Sequence, residues 1–368
     1  MKSKITLFMI SFCLINIIFT EPVLAQKKAV IAYFSGSAEQ LDDIDPVKIT
    51  HIIYCFGHLE GKRLRIASAA DSALIEKMVG LKSKNPSLKV MVSLGGWGGC
   101  EHCSDVFSDE SGRLSFAASV KSLNDYLKVD GIDLDWEYPA IEGYPGHKYS
   151  PSDKNNFTLL VAQLRKTLGK RQVITFAAGG FQKFLDESID WKAVMKNVDY
   201  VNLMTYDLIN GYSTSTGHHT ALYSNPKQKE STNNCVMALL GKGVDPARMI
   251  IGAAFYGRMW ENVSSADNGL YQQGKFKSFV PYNQFPELIT KDKGFSFYWD
   301  DRSKAPYAYN ASAKQFVTYD DSRSMALKTE YMISAKLGGI MFWELSIDSK
   351  TNGLLDTINK TLAASKNK

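Results

Sequence analysis

The chain has 368 residues, of which 45% are hydrophobic and 22% are charged, and its formal net charge is +5. This composition is typical of a folded globular protein and excludes extensive disorder. The charge is too small, and the basic residues are too scattered, to indicate a protein that binds nucleic acid.

The first 25 residues have the pattern of a secretory leader. A basic start precedes an apolar stretch from Ile5 to Phe19, and small or aliphatic residues stand at Val23 and Ala25. We expect cleavage after Ala25, which leaves residues 26–368 as the mature chain. An uncleaved membrane anchor is the competing interpretation, but the stretch is interrupted by polar residues and is shorter than the ~20 apolar residues that a span needs. The sequence therefore predicts a secreted protein, extracellular or periplasmic.

Short runs rich in β-branched and aromatic residues alternate with helical patterns along the mature chain. This alternation is typical of a parallel sheet with helices between its strands. The strand-like runs begin at Ala29, Ile49, Leu88, Gly131, Gln172, Asp199, Met249 and Gly338. The helical patterns cover 70–84, 110–127, 152–168, 229–240, 322–337 and a segment after Ser349. Eight such units predict an α/β protein with a closed (β/α)8 TIM barrel.

A barrel of this kind takes about 250 residues, so the mature chain contains an insertion. The surplus falls at 258–321, between the seventh and eighth strands, and is rich in aromatic and turn residues. We expect it to form a small α+β insertion. Because barrel active sites lie at the C-terminal ends of the strands, an insertion there would deepen the cleft.

Four cysteines follow the leader. Cys100 and Cys103 lie in "GGCEHCSD" and could form a local disulfide, half of a metal site or a redox pair. The expected secretion and the absence of further ligand pairs favour the disulfide. Cys55 and Cys235 stand in apolar surroundings, and we expect them to be buried thiols.

The fourth strand, in "DGIDLDWEYP", carries a row of carboxylates. Alternation along a strand places Asp133, Asp135 and Glu137 on the face opposite Ile132 and Trp136, and in a barrel that face points inward. Carboxylates ~6–7 Å apart in a poorly solvated interior cannot all ionise, so at least one pKa is raised. Glu137, nearest the mouth, is the candidate general acid.

A calcium loop is the competing interpretation of these acidic residues. It needs a glycine at its tight turn, whereas Trp136 and Tyr138 stand after Asp135 and Glu137. Asp130 has the opposite strand phase, so we expect it to be structural.

Acid catalysis by paired carboxyl groups suggests glycoside hydrolysis, yet these two lie on one strand face. In ordinary glycosidases the carboxyl groups flank the sugar from opposite sides. The nucleophile must then come from elsewhere, and the simplest source is the substrate's own 2-acetamido group. Asp135 would orient that amide, while Glu137 would protonate the leaving oxygen and later activate water.

The same stretch resembles the DxxDxDxE signature of glycoside hydrolase family 18, the chitinases and their relatives. Further resemblances follow in the family's order along nearly all of the mature chain: "SLGGW" at 93–97, "MTYD" at 204–207, "YGR" at 256–258 and "MFW" at 341–343.

The resemblance implies roles for particular residues. Glu137 would be the acid/base, Asp135 would orient the acetamido group, Asp133 would share its proton, and Tyr206 would bind the acetamido carbonyl. The implied substrate-binding residues are Tyr33, Phe56, Trp97, Met204, Asp207, Tyr256, Arg258, Met341 and Trp343. For Tyr33 and Phe56, a place in the core is an equal alternative. Trp260 and Trp299 are expected at outer sugar subsites, and Tyr307 and Tyr309 are expected to pack within the insertion.

The resemblance predicts a secreted chitinase that cleaves β-1,4 linkages between N-acetylglucosamine units with retention of the anomeric configuration. It is expected to cleave within the sugar chain rather than from its end. Chitin or a chitooligosaccharide is the expected partner of a monomer, with no cofactor, metal, nucleic acid or membrane. Two alternatives are a catalytically weak chitin-binding lectin and an endo-β-N-acetylglucosaminidase acting on glycoprotein glycans. The presence of Glu137, Asp135 and Tyr206 argues against the lectin.

Overall fold

The computed structural model describes residues 28–365, so the predicted leader lies outside the described residues. Within this range eight parallel strands form the barrel: β1 Ala29–Phe34, β2 His51–Glu60, β3 Lys89–Gly95, β4 Gly131–Asp135, β5 Val173–Gly179, β6 Tyr200–Met204, β7 Met249–Ala254 and β8 Gly339–Trp343. β1 pairs with both β8 and β2, which closes the barrel. The predicted TIM barrel is confirmed. A short strand, Arg63–Arg65, pairs antiparallel with the end of β2.

Helices surround the barrel. The longer ones are α1 Ala69–Gly80, α2 Glu110–Leu127, α3 Asp153–Leu168, α4 Thr232–Gly241, α5 Ser322–Ser334 and α6 Leu354–Ser365, and short ones occupy Ala38–Asp42, Cys103–Ser108, Trp191–Val194 and Phe285–Leu288. α4 begins later than the sequence predicts because the Ser231 hydroxyl accepts a hydrogen bond from the Asn234 backbone and caps the helix there. No helix between residues 28 and 365 is long and apolar enough to span a membrane.

Two apolar layers enclose the barrel wall. Ile132 and Leu134 of β4 belong to the layer that packs between strands and helices. Ile31, Met91 and Met341 belong to a separate cluster inside the barrel. β4 therefore turns its apolar residues outward and leaves Asp133 and Asp135 on the interior side, as alternation predicts.

A five-stranded antiparallel sheet follows β7. Its strands lie in the order Lys275–Pro281, Tyr256–Glu261, Gln315–Thr318, Ala305–Asn310 and Phe295–Asp300. One face contains Trp260, Tyr307, Tyr309 and Phe316, and the other contains Met259, Val280, Ala308 and Val317. The prediction that Tyr307 and Tyr309 pack within the insertion is confirmed.

One of the two insertion tryptophans requires correction. Trp260 is fully buried and its indole N–H donates to the Ser213 carbonyl at 2.9 Å, so its expected place at an outer sugar subsite is wrong. It is buried because the sheet packs this face against the loop after β6. Trp299 shares a sheet face with Phe295 and Phe297, opposite to the face of Trp260, and the Arg323 guanidinium lies 3.8 Å from its ring centroid. Its expected place at an outer sugar subsite stays a prediction.

Candidate active site

The row of carboxylates on β4 forms the centre of the candidate site. Asp133 is fully buried and Asp135 is 4% exposed. Glu137 follows two residues after the end of β4 and is half-buried. The three groups therefore run from the barrel interior to its mouth.

Four donors from four different strands converge on Asp133. They are the Ser93 hydroxyl at 2.7 Å, the Thr175 hydroxyl at 2.5 Å, the Tyr33 hydroxyl at 3.1 Å and the Asn202 side-chain amide at 3.3 Å. Burial raises the pKa of Asp133, and these hydrogen bonds oppose the rise. Asp133 is thus held in one position at the base of the site.

Asp135 and Glu137 both hold protons more tightly than ordinary carboxyl groups. Burial, and then the charges of Glu137 and Asp133, raise the pKa of Asp135 well above its usual value. Burial is also the main reason that the pKa of Glu137 rises to about 7, with a further contribution from Asp207. Oδ1 of Asp135 is buried and has no hydrogen-bond partner in the described part of the chain. A carboxyl group that is partly protonated at neutral pH can serve as a general acid.

Tyr206 and Asp207 lie just beyond β6. Burial raises the pKa of Tyr206 well above its usual value, so its hydroxyl remains a neutral donor. This hydroxyl donates a hydrogen bond to the Met341 sulfur, 3.8 Å away. Burial tends to raise the pKa of Asp207, but the nearby His219 ring and the hydrogen bonds from Arg258 lower it strongly. Asp207 therefore keeps its negative charge near Glu137.

Asp207 is one of the points at which the insertion contacts the barrel. Arg258 makes two hydrogen bonds to its carboxylate, the one from Nη2 at 2.5 Å, and the Tyr256 hydroxyl donates to Oδ1 at 2.7 Å. Asp207 itself has a left-handed backbone conformation, with φ of 55°.

Two aromatic groups flank the carboxylates. Trp343 ends β8 and stacks on Phe56 with ring centroids 5.6 Å apart and planes inclined by 15°. Trp97 is 46% exposed and contacts Tyr138, Tyr144 and Tyr212.

Glycines determine the path of the loop that carries Trp97. Gly96 has a φ of 78°, and a Cβ at this position would lie 2.5 Å from the Phe56 ring. Cys100 and Cys103, further along this loop, form a disulfide, as predicted. Cys55 and Cys235 are buried free thiols, as expected.

Asp130 is structural, as expected. It lies just before β4, where its carboxylate accepts a hydrogen bond from the Val90 backbone and pairs with Lys82 at 2.6 Å.

Three predicted substrate-binding residues need correction. Tyr33, Tyr256 and Met341 are at most 2% exposed, so they offer almost no surface to a ligand. Tyr33 and Met341 have an inward phase in barrel strands and contact Asp133 and Tyr206, whereas Tyr256 begins the insertion sheet and contacts Asp207. Phe56, Trp97, Asp207, Arg258 and Trp343 keep exposed surface, and Met204 is 9% exposed.

Sequence reasoning missed three residues that support the site. Thr175 and Asn202 hydrogen-bond Asp133, and each is a polar residue of inward phase in an otherwise apolar strand, which is a signal that alternation could have revealed. His219 lies with Nδ1 3.5 Å from Asp207 and is fully buried. It belongs to a loop, so no periodicity pointed to it.

A TIM barrel with carboxyl groups rising to its mouth, one of them with a pKa near 7 and with aromatic rings beside it, has the features of a glycoside hydrolase. Residues 29–348 match the model of the glycosyl hydrolases family 18, and the chain belongs to that family. The resemblance noted in the sequence is thereby confirmed.

Several relatives are chitinases by name. The chain is 36% identical over 299 residues to chitinase A1 of Niallia circulans. The aligned part is 74% of this chain but only 42% of that protein. It is 31% identical over 330 residues to chitotriosidase-1 of Mus musculus, with 83% of this chain and 68% of that protein covered.

Solved structures of similar fold also carry the names of a chitinase and a family 18 enzyme. Chitinase ChiA74 from Bacillus thuringiensis superposes with a TM-score of 0.86 at 28% identity, covering 92% of this chain and 70% of that one. A family 18 N-acetylglucosaminidase from Paenibacillus barengoltzii superposes with a TM-score of 0.82 at 34% identity, covering 91% of this chain and 99% of that one.

Proposed function

We propose that this protein hydrolyses β-1,4 linkages between N-acetylglucosamine units of chitin and chitooligosaccharides. The observation that carries the proposal is the row Asp133, Asp135 and Glu137, whose last member has a pKa of about 7 at the mouth of the barrel. The names of the chitinase relatives support the choice of substrate.

The proposed reaction has two steps. Protonated Glu137 donates its proton to the glycosidic oxygen, and that oxygen leaves with the bonding electron pair. The carbonyl oxygen of the substrate's 2-acetamido group bonds to C1 from the opposite side and forms a cyclic oxazolinium ion. Glu137, now a carboxylate, then takes a proton from water, and the water oxygen bonds to C1 as the acetamido oxygen departs. Two displacements at C1 retain the anomeric configuration.

Neighbouring residues are assigned to the acetamido group and the sugar ring. Asp135, whose Oδ1 lacks a partner in the described chain, accepts a hydrogen bond from the acetamido N–H. Tyr206 donates its hydroxyl to the acetamido carbonyl, and Trp343 stacks under the sugar ring. Asp133 shares a proton with Asp135, and its position is held by the four donors that surround it.

The proposal also covers where along the sugar chain the enzyme cleaves. We propose that the enzyme cleaves within chains, so that dimers, trimers and tetramers are the early products of a hexamer. The relative from Paenibacillus barengoltzii is named an N-acetylglucosaminidase, so release of monomers is the alternative outcome. Chromatography of early products distinguishes the two.

The experiment that tests the proposed function compares chitohexaose hydrolysis by the wild type, Glu137→Gln and Glu142→Gln. Glu142 is an exposed glutamate five residues further along the chain and serves as the matched control. We expect the Glu137 variant to lose at least ~100-fold in kcat, the lower end of what a general acid contributes. The control should retain wild-type activity. Failure of the folded wild type to cleave the hexamer would refute the proposal.

We also propose that the protein is secreted after removal of residues 1–25. The Cys100–Cys103 disulfide supports this, because such bonds persist in oxidising compartments. Intact mass of the protein recovered outside the cytoplasm tests it. A chain that begins near Gln26 is expected, and a full-length chain in the cytoplasm would contradict secretion.

A further inference from the structure

An exposed aromatic ring lies on the insertion beside the candidate site. Phe279 belongs to the strand Lys275–Pro281 and is 41% exposed. Its ring stacks on Tyr256 with centroids 4.5 Å apart and planes inclined by 23°. Tyr256 in turn donates its hydroxyl to Asp207. Phe279 is therefore in direct contact with a residue that holds the site.

The register of the insertion sheet shows which way Phe279 points. Phe279 lies directly opposite Arg258 in an antiparallel pair, and opposed residues place their side chains on the same face of a sheet. The Arg258 guanidinium reaches Asp207 at the mouth of the barrel. Phe279 therefore extends from the face that is turned toward the mouth.

Two ring contacts show where Phe279 lies relative to the reactive sugar. Tyr256 meets Tyr206 edge to face, with centroids 6.2 Å apart, and Phe279 covers another part of Tyr256. Tyr206 is the residue assigned to the reactive sugar. Phe279 thus lies outside that position, on the insertion side of the cleft.

We propose that Phe279 is a sugar-stacking residue, which binds an N-acetylglucosamine unit next to the reactive one. This rests on the proposed function for the identity of the sugar. Pyranose rings present an apolar C–H face, and aromatic rings in concave sites supply matching contact area at a low entropy cost. One face of the Phe279 ring is covered by Tyr256, so the ring is held in place and its remaining surface is free for a ligand.

The insertion provides a matched control residue. Phe297 is also a phenylalanine in this sheet and is 46% exposed. It pairs with Ala308, which belongs to the apolar cluster on the sheet face opposite to that of Arg258. Loss of its ring removes a similar exposed area from the other face of the same sheet.

The test measures binding of chitohexaose by calorimetry in the Glu137→Gln background, which prevents hydrolysis. Phe279→Ala should weaken binding about five- to thirtyfold, the change in an equilibrium constant that ~1–2 kcal/mol produces. Phe279→Tyr should remain within about twofold, since the aromatic face is kept, and Phe297→Ala should also remain within about twofold. Phe279→Leu keeps an apolar side chain without a ring and should weaken binding as the alanine variant does.

Three results would overturn the assignment. They are wild-type affinity in Phe279→Ala at an unchanged melting temperature, wild-type affinity in Phe279→Leu, and an equal loss in Phe297→Ala. Absence of hexamer binding by the Glu137→Gln parent would also overturn it. This assay measures binding alone. If the hexamer binds through Phe279 but the wild-type protein does not cleave it, only the proposed function is refuted.

Discussion

The Tyr33 hydroxyl on β1 donates a hydrogen bond to Oδ2 of Asp133 on β4, 3.1 Å away across the barrel interior. The same hydroxyl accepts a hydrogen bond from Asn202 Nδ2 at 3.0 Å. Tyr33 thus links three strands through one oxygen atom and supports the carboxylate at the base of the site.

Removal of this oxygen should be costly. Tyr33→Phe leaves Asp133 with one donor fewer and Asn202 without this acceptor, both in a buried region. We expect the free energy of unfolding at pH 7 to fall by ~1–3 kcal/mol, measured by urea denaturation. Tyr126→Phe, at a tyrosine that is 74% exposed, should change it by less than ~0.5 kcal/mol. Equal stabilities of the two variants would contradict this account of Asp133.

The alkaline limb of the pH profile should report Glu137. Its pKa of about 7 predicts that kcat/KM falls as pH rises through ~7, because the acid form is required. Asp207→Asn removes a negative charge that raises this pKa and leaves the positive Arg258 unpaired, so the limb should move to lower pH, by roughly half a unit to one unit. Asp292→Asn, at an exposed position, should leave the limb in place. A shift to higher pH in Asp207→Asn would be inconsistent with the assignment.

The same raised pKa should appear in protein stability. A group whose pKa is higher in the folded than in the unfolded state stabilises the fold fully below its unfolded pKa, and that stabilisation is lost as pH rises through the folded pKa. For Glu137 the window runs from about 4.5 to about 7. Glu137→Gln cannot lose a proton, so its unfolding free energy relative to wild type should grow by ~2–3 kcal/mol between pH 4.5 and pH 8. Denaturant titrations across this range test it, and a difference independent of pH would refute the raised pKa.

A buried ion pair joins the end of the insertion to α5. Lys328 Nζ lies 2.6 Å from Asp320 Oδ2 and both side chains are fully buried. Lys328→Met leaves a buried charge unpaired and should reduce the free energy of unfolding by ~3–5 kcal/mol, whereas Lys328→Met with Asp320→Asn should lose less. Lys121→Met breaks an exposed pair with Asp125 and should cost at most ~1 kcal/mol. Equal losses in the single and double variants would show that the unpaired charge is not the cause.

The sequence predicted the barrel and the carboxylate row because both depend on local periodicity. Alternation along "GIDLDWE" is enough to separate Ile132 and Leu134 from Asp133 and Asp135, whatever the neighbouring strands are. The burial of Trp260 was not predictable in this way, because it depends on which face of the insertion sheet packs against the loop after β6. The loss of exposure at Tyr33 and Met341 likewise depends on depth in the barrel, which strand phase alone does not give.

His219 and Phe279 show the same limit. His219 approaches Asp207 only because the loop after β6 folds back over the barrel mouth. Phe279 contacts Tyr256 only through the register of the insertion sheet, which includes an irregularity between Phe276 and Ser278. Non-local register and loop packing leave little trace in local sequence patterns.

The central claim is that the substrate's own acetamido group displaces the leaving oxygen with Glu137 as acid and base. The most direct measurement is proton NMR of chitohexaose hydrolysis, recorded before the new reducing ends equilibrate. These ends are expected to appear as the β-anomer with the wild type, and Glu137→Gln should form almost none. Initial appearance of the α-anomer would show inversion and would contradict the mechanism.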